Sequence, residues 1–278
     1  APLDRERAQL ESRYENIAAN AKGSLDLNDD INAPIAMQKV NVHLQPGGYM
    51  LDDGPNDIMA GALYEAGGRL YSQGQGVGTK ESNAECVMLF LKDFAPDSKP
   101  QRILDFACSA GSSVTPYALA FPDAEVHALD IGAGMLRYAH ARAEALGAKV
   151  HFHQATIEDN GFEDESFDLI ISHNAMHEIS QETQQKMMSE SYRLLKPGGI
   201  CVHQDVPLRF ELLDDFTKVL FSWDEFFNGE PFWSAYGTND CQSMLQNAGF
   251  TKDNIYVGMF EQIDKSFSWY LAAGRKPE

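Results

Sequence analysis

Between residues 102 and 205 the sequence alternates short apolar segments with longer amphipathic ones. The apolar segments predict β-strands, and they cover residues 102–106, 125–130, 150–154, 167–173 and 199–205. The segments between them predict helices, and they cover residues 113–120, 134–146 and 181–195. Alternation of this kind predicts βαβ units, and therefore a parallel sheet covered by helices.

A loop of small residues follows the first predicted strand. It carries Ala107, Ser109 and Gly111, and the next helix begins directly after it. Such a loop lets backbone N–H groups face a nucleotide-like ligand. The second predicted strand ends in Asp130, about 20 residues beyond Gly111, where an acid binds the ribose in dinucleotide folds. Together, the loop and the acid predict a nucleotide-type site at the carboxyl ends of these two strands.

The regular alternation stops after residue 205. Helices are predicted at 210–229 and 241–248, and two strands are predicted near 254–260 and 266–274. The connection between these strands is too short for a parallel crossover, so we expect an antiparallel hairpin. Residues 231–237 are rich in aromatic side chains and predict a loop.

Four sequence motifs, in this order, resemble those of the class I S-adenosylmethionine-dependent methyltransferases. Residues 103–111 are similar to the glycine motif of that family, and residues 126–135 to its ribose-binding strand and the following turn. Residues 164–170 resemble the run into its fourth strand. Residues 192–199 resemble the segment ending in Lys-Pro-Gly-Gly before its fifth. The resemblance covers about residues 102–276.

The resemblance implies an α/β fold with a doubly wound, seven-stranded Rossmann-like sheet, mostly parallel with an antiparallel last strand. We expect residues 1–80 to form an N-terminal helix and a lid-like arm, in which residues 40–44 alternate like a short strand. Residues 81–278 are expected to form the domain that binds S-adenosylmethionine. The aromatic insert at 207–240, after the fifth strand, is expected to act as a substrate cap.

The chain departs from the family pattern at three positions in the expected cofactor site. Ala107 and Ser109 stand where the family has glycine, and an added Cβ restricts the backbone to fewer conformations. Thr156 stands where the family often has Asp against the adenine. The cofactor-binding residues that the resemblance implies are Asp105, Ala107, Ser109, Gly111, Asp130, Ile131, Met135, Thr156, Ile157, His173 and Tyr71.

The acceptor of the methyl group is expected beyond the fourth strand, under the arm and the insert. His177 is the main candidate for a general base, with His173 as a second, because imidazole titrates near neutral pH. A capping or packing role for His177 is an equal alternative. No metal site is expected, since these histidines lack a spaced third ligand. The residues expected to bind the acceptor are Tyr49, Tyr64, Asn174, His177, Asp205, Trp223, Phe227, Trp233 and Tyr236.

Composition narrows the possible partners. The 41 acidic and 22 basic side chains give a formal charge of −19, which disfavours nucleic acid and anionic membrane surfaces. The four cysteines form no close pair, which favours a reducing cytoplasm, and no apolar stretch approaches the length of a membrane span. We therefore expect a cytoplasmic enzyme that acts on a small molecule, with the N-terminal helix as a candidate surface for a homodimer.

Two other functions are compatible with the sequence. A nicotinamide-dependent oxidoreductase would also use the loop and Asp130, although the terminal hairpin and the Lys-Pro-Gly-Gly segment favour the methyltransferase. A protein that binds S-adenosylmethionine without catalysis would be consistent with the altered glycine motif.

Overall fold

The computed structural model describes residues 2–71, 83–262 and 268–278, with only the backbone described for 2–5 and 69–71. The α-helices within these ranges are α1 (Pro2–Ala18), α2 (Ile35–Lys39), α3 (Met59–Tyr71), α4 (Asn83–Phe94), α5 (Thr115–Ala120), α6 (Ala133–Ala145), α7 (Gln181–Leu194), α8 (Asp215–Phe227), α9 (Trp233–Gly237) and α10 (Cys241–Ala248). Short 3₁₀ helices cover Val42–Leu44, Gly48–Met50, Met176–Glu178, Phe210–Leu212 and Lys252–Asn254. None of the helices in these ranges is both long and apolar enough to cross a membrane.

One mixed sheet forms the centre of the fold. Its strands are β1 (Ser24–Asp26), β2 (Arg102–Phe106), β3 (Glu125–Asp130), β4 (His151–Gln154), β5 (Phe167–His173), β6 (Leu195–Asp205), β7 (Ile255–Glu261) and β8 (Ser268–Arg275). They lie in the order β1-β4-β3-β2-β5-β6-β8-β7. All pairs are parallel except β6–β8 and β8–β7. The predicted α/β fold, with its parallel strands and antiparallel end, is confirmed.

The sheet differs from the prediction at one edge. The described residues form eight strands rather than seven, because the three-residue strand β1 pairs with β4. Gly23 makes this possible, since a Cβ there would lie 2.1 Å from the carbonyl oxygen of Val150.

The strand-like alternation at 40–44 was also misleading: Val42–Leu44 is a 3₁₀ turn in which His43 and Leu44 both have φ of 54°.

The central strands β2, β3, β5 and β6 bury both of their faces. On β2, Ile103 belongs to the core under α4, α5 and α6, and the next residue, Leu104, belongs to the core under α7 and α10. This alternation follows from the two-residue period of a strand. Because both faces are covered, the carboxyl-terminal edge of the parallel strands is left to carry the site.

The N-terminal arm packs directly on the sheet domain. In α1, Tyr14 is buried against Ile58 and against Ala141 of α6, so the apolar stripe of this helix is used within the chain. Two glycines at the start of α6 let the arm cross closely above it. A Cβ at Gly132 would lie 2.3 Å from the carbonyl oxygen of Tyr49, and one at Gly134 would lie 2.6 Å from that of Leu51. The crossing holds Tyr49 over the carboxyl-terminal edge of the sheet.

Candidate active site

A cleft opens at the carboxyl ends of β2 and β5, where the strand order reverses. Ligands bind at this point in open α/β sheets. The cleft has a volume of about 730 Å³ with its open mouth included, within the range of small-molecule sites. Its lining comes from the arm, from the sheet edge and from the loop after β5: Pro34, Met37, Tyr49, Tyr64, Ala107, Ser109, Leu129, Asp130, Ile131, Ala155, Thr156, Ile157, Glu158, His173, Asn174, Ala175, Glu178, Ile179 and Thr183.

The loop after β2 keeps a glycine-like backbone although two of its glycine positions are substituted. Ala107 has φ of 56° and Ser109 has φ of 51°, both in the left-handed region that side chains disfavour. Gly111 has φ of 75°, and a Cβ there would lie 3.0 Å from the Cβ of Ala139. The substitutions therefore add strain without changing the course of the loop, and Ala107 and Ser109 both line the cleft.

This strain leads to a stability prediction. Replacing Ala107 with glycine is expected to raise the free energy of unfolding by up to about 1 kcal/mol, because glycine adopts positive φ without a steric cost. The matched control is Ala110→Gly in the same loop, where the methyl group is buried with Ala60 and Met135. Ala110→Gly should destabilise the protein, since it only removes packing. Urea titrations of both variants measure the difference, and equal losses in the two would contradict the strain argument.

Asp130 holds the loop as well as facing the cleft. One carboxylate oxygen accepts the backbone N–H of Ser109 at 2.9 Å and the other accepts that of Gly132 at 3.0 Å. Burial raises the pKa of Asp130, and these backbone hydrogen bonds oppose the rise. A carboxylate has about four acceptor positions, so Asp130 keeps capacity for hydroxyl groups of a ligand in the cleft.

Asp105 lies beneath the loop and is fully buried. Its Oδ2 accepts a hydrogen bond from the Ser113 hydroxyl at 2.5 Å. Within the described part of the chain its Oδ1 has no hydrogen-bond partner. Burial raises the pKa of Asp105 to about 8, although the Ser113 hydrogen bond opposes this. A buried carboxyl oxygen without a partner calls for a polar group from outside the chain.

The other end of the cleft is largely apolar. Leu129, Ile131 and Ile157 line it together with Thr156, whose hydroxyl accepts the backbone N–H of Asp159 at 3.1 Å. This surface suits a flat aromatic base. Three of the described residues predicted to bind the cofactor do not belong to the lining: Asp105, Gly111 and Met135 lie behind it. The side chain of Tyr71 lies outside the described residues.

His173 lines the cleft as a neutral ring with both nitrogens occupied. Its Nδ1 lies 2.8 Å from the amide oxygen of Gln204, and its Nε2 lies 3.1 Å from the Tyr117 hydroxyl. An amide oxygen only accepts, so Nδ1 carries the proton and Nε2 accepts from Tyr117. Burial lowers the pKa of His173 to about 4. The ring is therefore held in place by its partners and offers no free nitrogen for a catalytic proton transfer.

A buried network of charged groups lies beside the cleft. Glu178 is its centre: its Oε1 accepts the hydroxyl of Tyr49 at 2.6 Å and lies 3.1 Å from Nε2 of His43. The other ring nitrogen of His43 lies 2.6 Å from Oε1 of Glu230, which belongs to the insert and is fully buried. Nε2 of His177 lies 3.5 Å from the same Oε1 of Glu178. The network thus joins the arm, the loop after β5 and the insert.

His177 is fixed by Asp205 at the end of β6. Its Nδ1 lies 2.5 Å from Oδ1 of Asp205. Burial alone would lower the pKa of His177, but the charge of Asp205 and the hydrogen bond to it raise the pKa well above its usual value. Hydrogen bonds from His177 and His43 outweigh burial and lower the pKa of Glu178. Glu178 lines the cleft, and His177 and Asp205 lie behind it, so a contact of these two residues with the acceptor stays a prediction.

The three groups His43, Glu178 and Glu230 are close enough together to be considered as metal ligands, with ligand atoms within 4.8 Å of one another. However, the two carboxylates contact different nitrogens of His43. A metal ion binds one nitrogen of an imidazole and gathers its other ligands there. The arrangement instead matches an imidazolium ion between two carboxylates.

The charge on His43 leads to a pH prediction. Burial alone would lower the pKa of His43, but the hydrogen bonds to Glu178 and Glu230 raise it to about 9, above the unfolded value of about 6.5. Its stabilising contribution is therefore complete below about pH 6.5 and is lost as the pH rises through about 9. Urea titrations of wild type and His43→Gln should show a stability difference that narrows over this interval. A difference that is constant with pH would contradict the charged state.

The aromatic residues of the insert divide into two groups, neither of which lines the cleft. Trp233 and Tyr236 pack around His177, with ring centroids at 5.6 and 6.1 Å, which favours the packing interpretation of the insert. Trp223 and Phe227 lie on α8 and are exposed. Of the residues expected to bind the acceptor, the cleft therefore brings together Tyr49, Tyr64 and Asn174.

Sequence reasoning missed His43, Glu178 and Glu230. His43 lies in the segment with misleading strand-like alternation and Glu230 in one without periodicity, and nothing local connects the two residues. Glu178 directly follows His177 in the segment after the fourth predicted strand. Among these three residues, only Glu178 therefore had a sequence position that indicated the site.

Comparison with known proteins agrees with this geometry. A family model described as a methyltransferase domain matches residues 103–199. An uncharacterised methyltransferase of Synechocystis is 34% identical over 174 residues, covering 60% of this chain and 75% of that protein. The malonyl-[acyl-carrier protein] O-methyltransferase of Methylococcus capsulatus is 37% identical over 60% of this chain and 58% of its own.

Solved structures share the fold at low sequence identity. Phosphoethanolamine N-methyltransferase 2 of Haemonchus contortus, in complex with phosphomonomethylethanolamine and S-adenosylhomocysteine, superposes with a TM-score of 0.57 and 21% identity, over 77% of this chain and 58% of that chain. Magnesium protoporphyrin IX methyltransferase of Synechocystis, with bound S-adenosylhomocysteine, gives a TM-score of 0.52 and 18% identity, over 81% and 90% of the two chains.

The fold and these similarities define a methyltransferase domain. The chain belongs to the class I methyltransferases. It spans 45% of the Haemophilus influenzae relative and 58% of the Methylococcus relative, so these relatives contain further sequence that it does not match.

Proposed function

We propose that this chain transfers the methyl group of S-adenosylmethionine to a small molecule that carries an N–H or O–H group. The observation that carries the proposal is the cleft itself, where a loop with glycine-like backbone, the Asp130 carboxylate and an apolar surface meet at the point where the strand order reverses. These features fit the loop, ribose and adenine contacts of a nucleoside ligand.

The residues that would hold S-adenosylmethionine follow from their chemistry. Asp130 would accept the two ribose hydroxyls, and Ile131 and Ile157 would contact the adenine. Oδ1 of Asp105 has no partner within the described ranges and lies beneath the loop. The ammonium group of the methionine part would favour the ionised form of Asp105 by pairing with it. When bound, the sulfonium supplies an electrophilic methyl group, and the chain contributes mainly by positioning the acceptor in line with it.

Two hydrogen-bond acceptor atoms of the chain support the proposed substrate class. Asn174 and Glu178 both line the cleft. In the described part of the chain, Oδ1 of Asn174 and Oε2 of Glu178 are buried without a hydrogen-bond partner. Both atoms only accept hydrogen bonds in these states, so they favour a substrate that donates from nitrogen or oxygen. Tyr49 and Tyr64 would close the cleft from the arm.

His177 is assigned a positioning role in this proposal. Its ion pair with Asp205 fixes the ring, and the ring in turn fixes the ionised Glu178. Glu178, held as a carboxylate, would orient the donor group of the substrate. Since its pKa is lowered, Glu178 would accept a hydrogen bond before methyl transfer rather than act as a strong base.

The proposal is tested by calorimetric titration of the purified chain with S-adenosylmethionine, S-adenosylhomocysteine and NADH. We expect binding of both sulfur compounds and none of NADH. A panel of amines, alcohols and carboxylic acids, followed by release of S-adenosylhomocysteine, then tests turnover. Binding of NADH alone would overturn the proposal, and so would binding of S-adenosylmethionine with turnover confined to acceptors that lack N–H and O–H groups.

A further inference from the structure

Helix α8 has its apolar side on the outside. Its outward stripe contains large apolar residues spaced three and four apart, with Ser222 as the polar residue among them. The members of this stripe are between 49% and 80% exposed: Phe216, Val219, Leu220, Trp223, Phe226 and Phe227. The charged residues Lys218, Asp224 and Glu225 are less exposed. A surface helix normally shows the reverse pattern, so the outer face of α8 has the composition of a buried one.

The size of this face is large for an unpartnered surface. A fully buried aromatic side chain covers about 150–250 Å², so the exposed parts of four aromatic and two aliphatic residues amount to roughly 600 Å². Monomeric proteins rarely expose contiguous apolar patches of this size. Two such faces in contact would bury about 1,200 Å², which reaches the lower limit of stable protein–protein interfaces.

We infer that α8 forms the interface of a symmetric homodimer of this chain. A two-fold contact uses the same patch on both copies, and an apolar stripe is complementary to itself. The formal charge of −19 opposes binding of this surface to an anionic membrane. A second copy carries the same charge, so burial of apolar surface has to drive contact between two copies. The stripe carries no charge of its own, so contact between two copies desolvates apolar atoms and leaves the charged residues at its margins.

The charges at the margins favour an antiparallel arrangement of the two helices. Asp214 caps the start of α8 by accepting the backbone N–H of Thr217, and Asp215 follows it. An antiparallel pair places these acidic starts at opposite ends, about 20 Å apart, whereas a parallel pair would bring them together. Centred on the middle of the stripe, the antiparallel register sets Lys218 level with Glu225 of the partner subunit.

Dimer formation at α8 would reach the active site through the inner side of the helix. Phe221 stacks on Trp233 at 5.4 Å between ring centroids, and Trp233 contacts His177. Glu230, which follows α8, binds His43 of the arm. A partner copy on the outer face would therefore hold the insert against the network beside the cleft.

Sedimentation equilibrium and light scattering of the full chain test this inference. We expect twice the mass of one chain over a wide concentration range, with association that strengthens as salt screens the two negative copies. Trp223→Glu and Phe226→Glu should each give the mass of a single chain, while circular dichroism shows that they stay folded. The matched control is Leu119→Glu, at an exposed leucine on α5, which should remain dimeric.

Each other outcome has a clear meaning. A wild-type protein with the mass of a single chain at all concentrations overturns the inference, as does a dimer that persists in both α8 variants. Binding of a monomeric wild type to phosphatidylcholine vesicles, lost in Phe226→Glu, would assign the face to a lipid surface instead. In the dimer, the melting temperature of wild type should rise with protein concentration, and that of the two α8 variants should not.

Discussion

Replacing Asp130 with asparagine is expected to weaken binding of S-adenosylmethionine by about 100-fold or more. Hydrogen bonds to a charged group contribute about 1.5–3 kcal/mol each, and the proposed site gives Asp130 two of them to the ribose. The amide nitrogen of asparagine would also face the backbone N–H of Ser109 or Gly132, which the carboxylate now accepts. Isothermal titration with S-adenosylmethionine measures the loss of affinity.

A second carboxylate in the same sheet provides the control for this variant. Asp168 accepts the backbone N–H groups of Gln101 and Arg102 at 3.0 and 2.8 Å, and it pairs with Lys196. It lies at the opposite edge of the sheet from the cleft. Asp168→Asn should therefore lower the free energy of unfolding while leaving the affinity for S-adenosylmethionine unchanged. Equal affinities in Asp130→Asn and Asp168→Asn would refute the ribose assignment.

The parts of the fold that the sequence predicts are those specified by local patterns. Strands β2 to β6 are apolar segments, with helical segments between all neighbours in the chain except β4 and β5. The short connection after β7 allows only a hairpin. Asp130 was identifiable because it ends the apolar segment of β3 and lies about 20 residues beyond Gly111. Ala107 and Ser109 show that the backbone of this loop is retained even where glycine is not.

The features that escaped prediction depend on contacts between distant segments. Strand β1 exists because Gly23 lets a short segment approach β4, and three residues are too few to show a period. His43 meets Glu230 only after the arm and the insert have both folded over the sheet edge. His177 was identifiable as a residue near the site, but its charge depends on Asp205, which follows it by 28 positions. Titration behaviour of this kind is a property of the assembled network.

Glu178→Gln is expected to cost about 3 kcal/mol of unfolding free energy at neutral pH. Removing one partner of a buried ion pair leaves the other charge uncompensated, which typically costs about 3–5 kcal/mol. In this network both His43 and His177 would lose a carboxylate, although Glu230 and Asp205 would still pair with them. Urea denaturation monitored by circular dichroism measures the effect.

The surface residue Glu182 separates this buried effect from a general effect of removing a glutamate. It pairs with Lys186 one turn further along α7 and is largely exposed, so Glu182→Gln should change stability by less than about 0.5 kcal/mol. The double variant Glu178→Gln with His43→Gln should cost less than the sum of the single variants, because each removes the other's partner. Additive losses would mean that His43 and Glu178 do not stabilise each other. The arm would then be held over the cleft by its other contacts, such as those of His43 with Glu230 and of Arg137 with Asp52.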